Sequence, residues 1–346
     1  MDRTSGSLFG LAYGDALGKP TEFRTIPEII DRYGDQGPRQ LEGDPALVTD
    51  DTQMALAVAW ALVDASPRIP QRHVQRRRWT PQILEPLLRK RFIDWAHSPD
   101  NNRAPGNTCL SAIGGLADGL PWQRASVSGS KGCGANMRVT PVGLLPVDDD
   151  ELADLAQFQA GLTHGHPTAL AASELTAYAV KLLASDRADL ADLPVALRER
   201  CRRERTVYRG DWLGDLWVSP AFADPVEYIA HGWDECLAVL DRLDLALRDG
   251  PGQLTDFAVD PCQLTGAGWV AEEALATALL CAIGFSDDPV TALARAATTS
   301  GDSDSIACLT GAFLGAAHGM SIWPPEWATR IEYANHLTAL ATSLPA

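Results

Sequence analysis

The stretch GDSDSIACLTGAFLGAAHG (301–319) sets Asp302, Asp304 and the hydroxyl of Ser305 side by side, then runs into an apolar, small-residue helical pattern. Hard oxygen donors at this density are the chemistry of a Mg2+, Mn2+ or Ca2+ site. They are equally the chemistry of a helix start, where a side-chain oxygen accepts a free backbone N–H and a negative charge suits the helix dipole. An EF-hand loop is excluded, because with Asp302 and Asp304 as its first and third positions the turn glycine would be Ala307 and the bidentate glutamate Phe313. A metal held here takes its remaining ligands from elsewhere in the chain.

The same grammar recurs at VTDDTQMALAVAWAL (48–62), where Thr49, Asp50 and Asp51 precede another apolar helix. Brought together, the carboxylates of the two segments would repel and stay partly protonated unless cations neutralised them. All-oxygen donors select Mg2+ or Mn2+ over zinc. Two caps, or one shared metal centre, are the alternatives at this point.

Other segments offer binding chemistry. GLAYGDALGKPTEF (10–23) breaks a helical pattern with Gly14, Asp15, Gly18 and Pro20 and then delivers Glu22; PDNNRAPGNTCL (99–110) is a polar loop running from Asp100 to a helix start at Asn107. GSKGCGANMRVTPVG (129–143) packs Gly132 and Gly134 into a loop whose free N–H groups suit an anion, ahead of Asn136. His164 and His166 in LTHGHPTA lie beside a helix start; as a zinc pair they lack partners in the local sequence, and capping or hydrogen bonding is the plainer reading. Trp269, in GAGWVAEEA, is either a pocket wall or a core aromatic.

The elements that must position these residues are helices. SLFGLAYGDALG, TQMALAVAWALVDA, ALAASELTAYAVKLLAS, DECLAVLDRLDLALRD, WVAEEALATALLCAIG and SIACLTGAFLGAAHG all carry apolar residues at three- and four-residue steps, and alternating strand patterns are scarce. The expectation is a compact all-α domain over 1–346, with a peripheral elaboration at 186–262, where Trp, Pro and charge are enriched. A net charge of −16 argues against general nucleic-acid or anionic-membrane binding. The basic run RHVQRRRW (72–79) reads as a surface loop or solvated helix face. The longest apolar run (274–285) is too short to span a bilayer, and the first residues lack a signal-peptide pattern. Seven cysteines without a C-x-x-C pair point to a reducing, cytoplasmic setting with inert thiols.

Taken in order, GDALGKPTE, TDDT, GNT (106–108), GCGANMR, Thr163-His164 and GDSDS resemble the signatures of the ADP-ribosylglycohydrolases related to dinitrogenase reductase-activating glycohydrolase, over roughly residues 6 to 319. The resemblance implies an all-α orthogonal helical bundle and a binuclear Mg2+ or Mn2+ centre ligated by Thr49, Asp50, Asp51, Asp302, Asp304 and Ser305. Ser305 stands where the family usually has Thr and keeps the hydroxyl. The implied reaction is hydrolysis of the bond between C1 of the distal ribose and a modified acceptor, through a transition state resembling an oxocarbenium ion. Substrate contacts carried over are Asn107, Gly132, Gly134, Asn136, His164 and Trp269.

Two carboxylates are candidates for the proton transfers. Glu22 matches the glutamate of the serine-specific branch, and Asp100 lies nearest to the aspartate that arginine-specific members place before G-N-T, although displaced by several residues. The resulting expectation is a cytoplasmic, monomeric hydrolase acting on ADP-ribosylated proteins or small-molecule conjugates, arginine preferred over serine. A non-catalytic ADP-ribose-binding or structural protein and a Mg2+-dependent nucleotide-diphosphate hydrolase are the alternatives. Because each acid-rich segment supplies half of the donor set, Asp50→Ala and Asp302→Ala should each weaken Mg2+ or Mn2+ binding in calorimetry; undiminished affinity in either variant leaves only the capping reading.

Overall fold

Positions 6, 10, 14 and 18 of the first helical segment are all glycine, a spacing close to one helical turn that leaves a bare strip along one face. A computed structural model, describing residues 2–66, 79–248 and 252–345, gives that strip its partner. The helix Asp2–Gly18 lies antiparallel against Ser303–His318, which is small along its own facing strip. A Cβ added at Gly10 would come within 2.2 Å of the Gly311 carbonyl oxygen, at Gly14 within 1.9 Å of the Ala307 oxygen, and at Gly18 within 2.4 Å of the Asp304 Cα. The two backbones are therefore in direct contact. Ser7 Oγ donates to the Ala312 carbonyl at 2.9 Å along the same seam.

This contact sets the end of the first helix, and the Glu22 turn after it, against the start of Ser303–His318. The helices Asp50–Ala65, Pro167–Ala184, Ala271–Gly284 and Pro289–Ala297 pack against the pair. The all-α expectation holds: among the described residues the β-structure amounts to isolated bridges, Ala46 with Ile331, Val127 with His164, and Gly132 with Val270. The last two fasten loops that reach the site. One hydrophobic cluster takes in residues from Leu8 to Leu344.

The 186–262 segment contributes to that cluster through the helix Pro225–Arg248, which buries Tyr228, Ile229, Trp233, Val239 and Leu243. Gly232 on this helix approaches the Pro167 backbone so closely that a Cβ would lie 2.4 Å from it. Six of the seven cysteines are buried, and all are free thiols. No described helix is long and apolar enough to cross a membrane. The basic run 72–79 lies outside the described residues apart from Trp79, which is fully buried.

The bare strip generates a paired test. Gly14→Ala forces a methyl into the Ala307 carbonyl and should cost about 3 kcal/mol, the upper end of ordinary overpacking. Gly114→Ala, at an exposed helical glycine whose added Cβ would meet nothing within 4 Å, should instead stabilise by up to about 1 kcal/mol through helix propensity. Denaturant unfolding of the two variants measures both signs.

Candidate functional site

Thr49 caps the helix Asp50–Ala65 from an extended backbone, its hydroxyl accepting the Asp51 N–H at 3.4 Å. Asp302 occupies the equivalent position before Ser303–His318 but makes no side-chain cap bond. Capping thus accounts for one hydroxyl and leaves the carboxylates for something else. Asp50, Asp51, Asp302 and Asp304 all border one cavity of about 310 Å3, together with Ser305 and Glu22. Glu22, Asp302 and Asp304 each bring an oxygen within 4.8 Å of the others, a spacing that a single cation can span.

The concentration of acid has a measurable consequence. Burial, then the charge of Asp304, pushes Asp50 up to about 7. Burial, then Asp304 and Asp50, pushes Glu22 up to about 9. Asp51 and Asp302 are also raised well above the usual carboxylate range, burial and Asp304 again leading. Asp51 Oδ1 is buried without a hydrogen-bond partner. Gly106 N–H donates to Asp50 Oδ2 at 3.2 Å, but among the described residues no Lys or Arg borders the cavity to neutralise the group. An orphaned carboxylate oxygen amid hard donors fits a divalent cation.

Asp15, named in the sequence only as part of a motif, holds the arrangement from behind. Its carboxylate is fully buried and accepts from Thr49 N–H at 2.9 Å, Thr49 Oγ1 at 2.8 Å, Thr52 N–H at 3.0 Å and Thr52 Oγ1 at 2.5 Å. These bonds aim the T-D-D-T turn. The available signal was a carboxylate in a helix with apolar residues on every face, Leu8, Leu11, Ala12, Ala16 and Leu17 among them.

The opposite wall is built from the glycine loop and the T-H segment. Cys133 N–H donates to the Trp269 carbonyl at 3.1 Å and Ala271 N–H to the Lys131 carbonyl at 2.9 Å, which fastens Gly132 and Gly134 along the cavity and brings Trp269 to its rim. Trp269 is 41% exposed and stacks on Phe23, with centroids 5.4 Å apart and an interplanar angle of 17°. It is a pocket wall rather than a core aromatic. Phe23 itself is held at φ 61°, a left-handed conformation costly for a bulky side chain.

His164 also lines the cavity, and burial with the nearby Arg138 drives its pKa down to about 3, so the ring is neutral. Arg138, fully buried, donates to Thr163 Oγ1 at 2.8 Å, and the same hydroxyl shares a hydrogen bond with His164 Nδ1 at 2.8 Å and reaches the Ala160 carbonyl at 3.4 Å. These bonds hold the ring so that its Nε2 lies beside Gly132 and Gly134. Asn107 lines the same cavity.

Three expected residues stand off the cavity lining. Thr49 lies behind it, its Oγ1 donating to Asp15 Oδ1 at 2.8 Å. Asn136 is fully buried with Nδ2 donating to the Ala271 carbonyl at 3.0 Å, so it supports the loop from behind. Asp100 does not border the cavity: its Oδ2 accepts the Tyr333 hydroxyl at 2.9 Å, and its carbonyl accepts Gln53 Nε2 at 3.2 Å. The loop turns Asp100 toward the C-terminal segment because Arg103 is drawn to Glu332 and to the Val48 carbonyl, both at 2.6 Å.

These groups bind protons more tightly in the folded chain than in the unfolded chain, where carboxyls titrate near about 4. Their contribution to stability is therefore fully present below about pH 4 and is lost as pH rises through the folded values, about 7 for Asp15 and Asp50 and about 9 for Glu22. In chelator the melting temperature should fall by several degrees between about pH 6 and pH 9, and Mg2+ or Mn2+ should remove the decline. Melts in chelator that do not respond to pH would mean the carboxylates do not share a charged site.

Against known proteins, the profile of the ADP-ribosylglycohydrolase family matches residues 1–346. The chain is 27% identical to the protein YegU of Escherichia coli, covering 97% of this chain and 93% of that one. It is 25% identical to the ADP-ribosylarginine hydrolase Tri1 of Pseudomonas putida, covering 99% of this chain and 78% of the relative. A solved ADP-ribosylglycohydrolase-related protein superposes with a TM-score of 0.63 over 99% of this chain and 96% of its own, at 24% identity, which establishes a common fold. With the six signatures in family order and a cavity to which each of them contributes, the chain belongs to the ADP-ribosylglycohydrolase family and is a hydrolase.

Proposed function

We propose that this protein hydrolyses the glycosidic bond joining ADP-ribose to an acceptor side chain, with arginine preferred, using Glu22 for proton transfer and divalent ions held by Thr49, Asp50, Asp51, Asp302, Asp304 and Ser305. The observation that carries the reading is the convergence of carboxylates from separated segments on one cavity whose other wall carries a neutral His164 and the glycine loop. The name of the Pseudomonas relative supports arginine as acceptor. Continuity of the hydrophobic cluster from Leu8 to Leu344 supports one domain over 1–346.

Hydrolysis adds hydroxide to C1 of the ribose and a proton to the departing acceptor atom. A carboxyl group can serve both ends by giving its proton to the leaving atom and taking one from water. Glu22 suits that role, being part-exposed on the cavity and beside Asp302 and Asp304. The position of Asp100, bonded to Tyr333 away from the cavity, favours Glu22 over it. What bound divalent ions supply is charge, which keeps the surrounding carboxylates ionised and acidifies coordinated oxygens.

His164 Nε2 and the backbone at Gly134 border the side of the cavity suited to the phosphate oxygens, the Cys133 N–H being spent on the Trp269 carbonyl, and the Phe23–Trp269 pair offers a flat apolar face for the base at the rim. Burial of the reacting centre against Asp302 and Asp304 places negative charge where the oxocarbenium-like sugar becomes positive.

Purified protein offered arginine-linked and serine-linked ADP-ribose with Mg2+ or Mn2+ should release free ADP-ribose, faster from arginine. Glu22→Gln should lower kcat by about 10²–10⁴-fold, the scale of a general acid–base group, while Asp100→Asn should stay active. An active Glu22→Gln beside a dead Asp100→Asn would reverse the assignment. Cleavage of the pyrophosphate instead of the glycosidic bond would replace the reaction.

A further inference from the structure

The second histidine of the T-H-G-H segment faces away from the cavity just described. His164 lines that cavity, whereas His166 lines a separate one of about 660 Å3 on the molecular surface, beside His231 and Phe222. His231 and Glu235 lie one turn apart on the Pro225–Arg248 helix, and His166 caps the start of Pro167–Ala184. We propose that His166, His231 and Glu235 form a second metal site, which takes a borderline divalent ion of the zinc type and is separate from the carboxylate cluster.

Each of the three offers a ligand atom within 4.8 Å of the other two. Two imidazoles and a carboxylate are a donor set suited to zinc, with positions left over for water or an exogenous ligand. The all-oxygen cluster around Asp302 selects harder ions, so the two sites differ in the metal they prefer.

The ligands sit on elements that are locked together. The Gly232 backbone touches Pro167, with room for no Cβ, and the Tyr228 hydroxyl donates to the Gly165 carbonyl at 2.8 Å. Glu235 is oriented in the way metal-binding carboxylates are, by partners behind it: its Oε2 accepts from Thr168 Oγ1 at 2.5 Å and from Lys131 Nζ at 2.9 Å. Its other oxygen points to His231 Nε2 at 3.7 Å. Burial raises the Glu235 pKa, but Thr168 and Lys131 outweigh it and hold the carboxyl below its usual range, hence ionised. Lys131 is also paired at 2.6 Å with the buried Glu272, so its charge does not cancel that of Glu235 alone. Burial lowers the His166 pKa, which keeps its ring neutral and able to ligate.

One contact opposes binding. His166 Nδ1 accepts the Thr168 N–H at 3.3 Å, a long bond that must be surrendered when Nε2 takes a metal and the ring proton moves to Nδ1. Three protein ligands and this loss set the expected Kd on the order of 1–10 µM, far weaker than a four-ligand structural zinc site.

The test uses the full chain in excess Mg2+, which occupies hard-ligand sites, titrated with Zn2+ by calorimetry and with Co2+ by visible absorption. The proposal requires one Zn2+ equivalent, and Co2+ bands intensified above those of an octahedral all-oxygen ion. His231→Ala should weaken Zn2+ binding at least about tenfold, because one of three ligands is lost; its side chain is 46% exposed, and an unchanged melting temperature checks the fold. Asp302→Asn should leave that equivalent in place. Zn2+ binding that is indifferent to His231→Ala, that disappears with Asp302→Asn, or that is absent up to roughly millimolar concentration would overturn the proposal. None of these readouts depends on the hydrolytic reaction.

Discussion

Gly14 meets the carbonyl of Ala307 with nothing between the two backbones, and Gly6, Gly10 and Gly18 make the same approach to the Ser303–His318 helix on either side. Such contact leaves no room for sliding, because a shift of one residue would put side chains where only backbone fits. The end of one helix is therefore fixed relative to the start of the other. Asp15 comes from the first, Thr21 and Glu22 from the turn that follows it, Ser303, Asp304 and Ser305 from the second, and the bond from Thr21 Oγ1 to Ser303 Oγ at 3.0 Å joins them at the seam. The position of the cavity follows from the packing of small residues behind it.

Gathering so many carboxylates is electrostatically expensive, and the fold offsets the expense unevenly. Asp15 receives hydrogen bonds from both Thr49 and Thr52, and Asp50 receives the Gly106 N–H. Asp51 has an oxygen with no partner. The satisfied groups orient the turn, and the unsatisfied one faces the cavity with the acids of the second helix. This division is what a cation site requires: rigid support behind, and free oxygen lone pairs in front.

The wall opposite works by neutral donors. Arg138 is buried, stacks over Phe92 at 4.5 Å from the ring centroid, and spends its hydrogen bonds on Gln159 and Thr163. Burial, with the Arg138 charge, keeps His164 unprotonated, and the Arg138 bond to Thr163 holds the hydroxyl on which the His164 ring rests. A carboxyl-lined floor therefore faces the glycine loop and His164 across about 310 Å3. A ligand with hydroxyls at one end and phosphate oxygens at the other matches both surfaces.

The amino-acid order alone determined the class of the fold and the grammar of the site. Apolar residues at three- and four-residue steps specify helices, and Asp50, Asp51, Asp302 and Asp304 announce themselves by standing beside hydroxyls ahead of such helices. Trp269, Gly132, Gly134 and His164 were legible because glycine loops and T-H turns are local features. Which of these meet is a long-range matter. Asp15 grips Thr49 across 34 positions and Thr21 meets Ser303 across 282. No local pattern encodes those distances, so the support given by Asp15 and the inclusion of Glu22 with Asp302 and Asp304 emerged only from the packed helices. Asp100 had the right chemistry and a plausible place in the order, but the ion pair between Arg103 and Glu332 turned its loop toward Tyr333. Composition and spacing decide which residues are able to act; the backbone contact between two glycine-lined helices, and the loops anchored around it, decide which of them face one another.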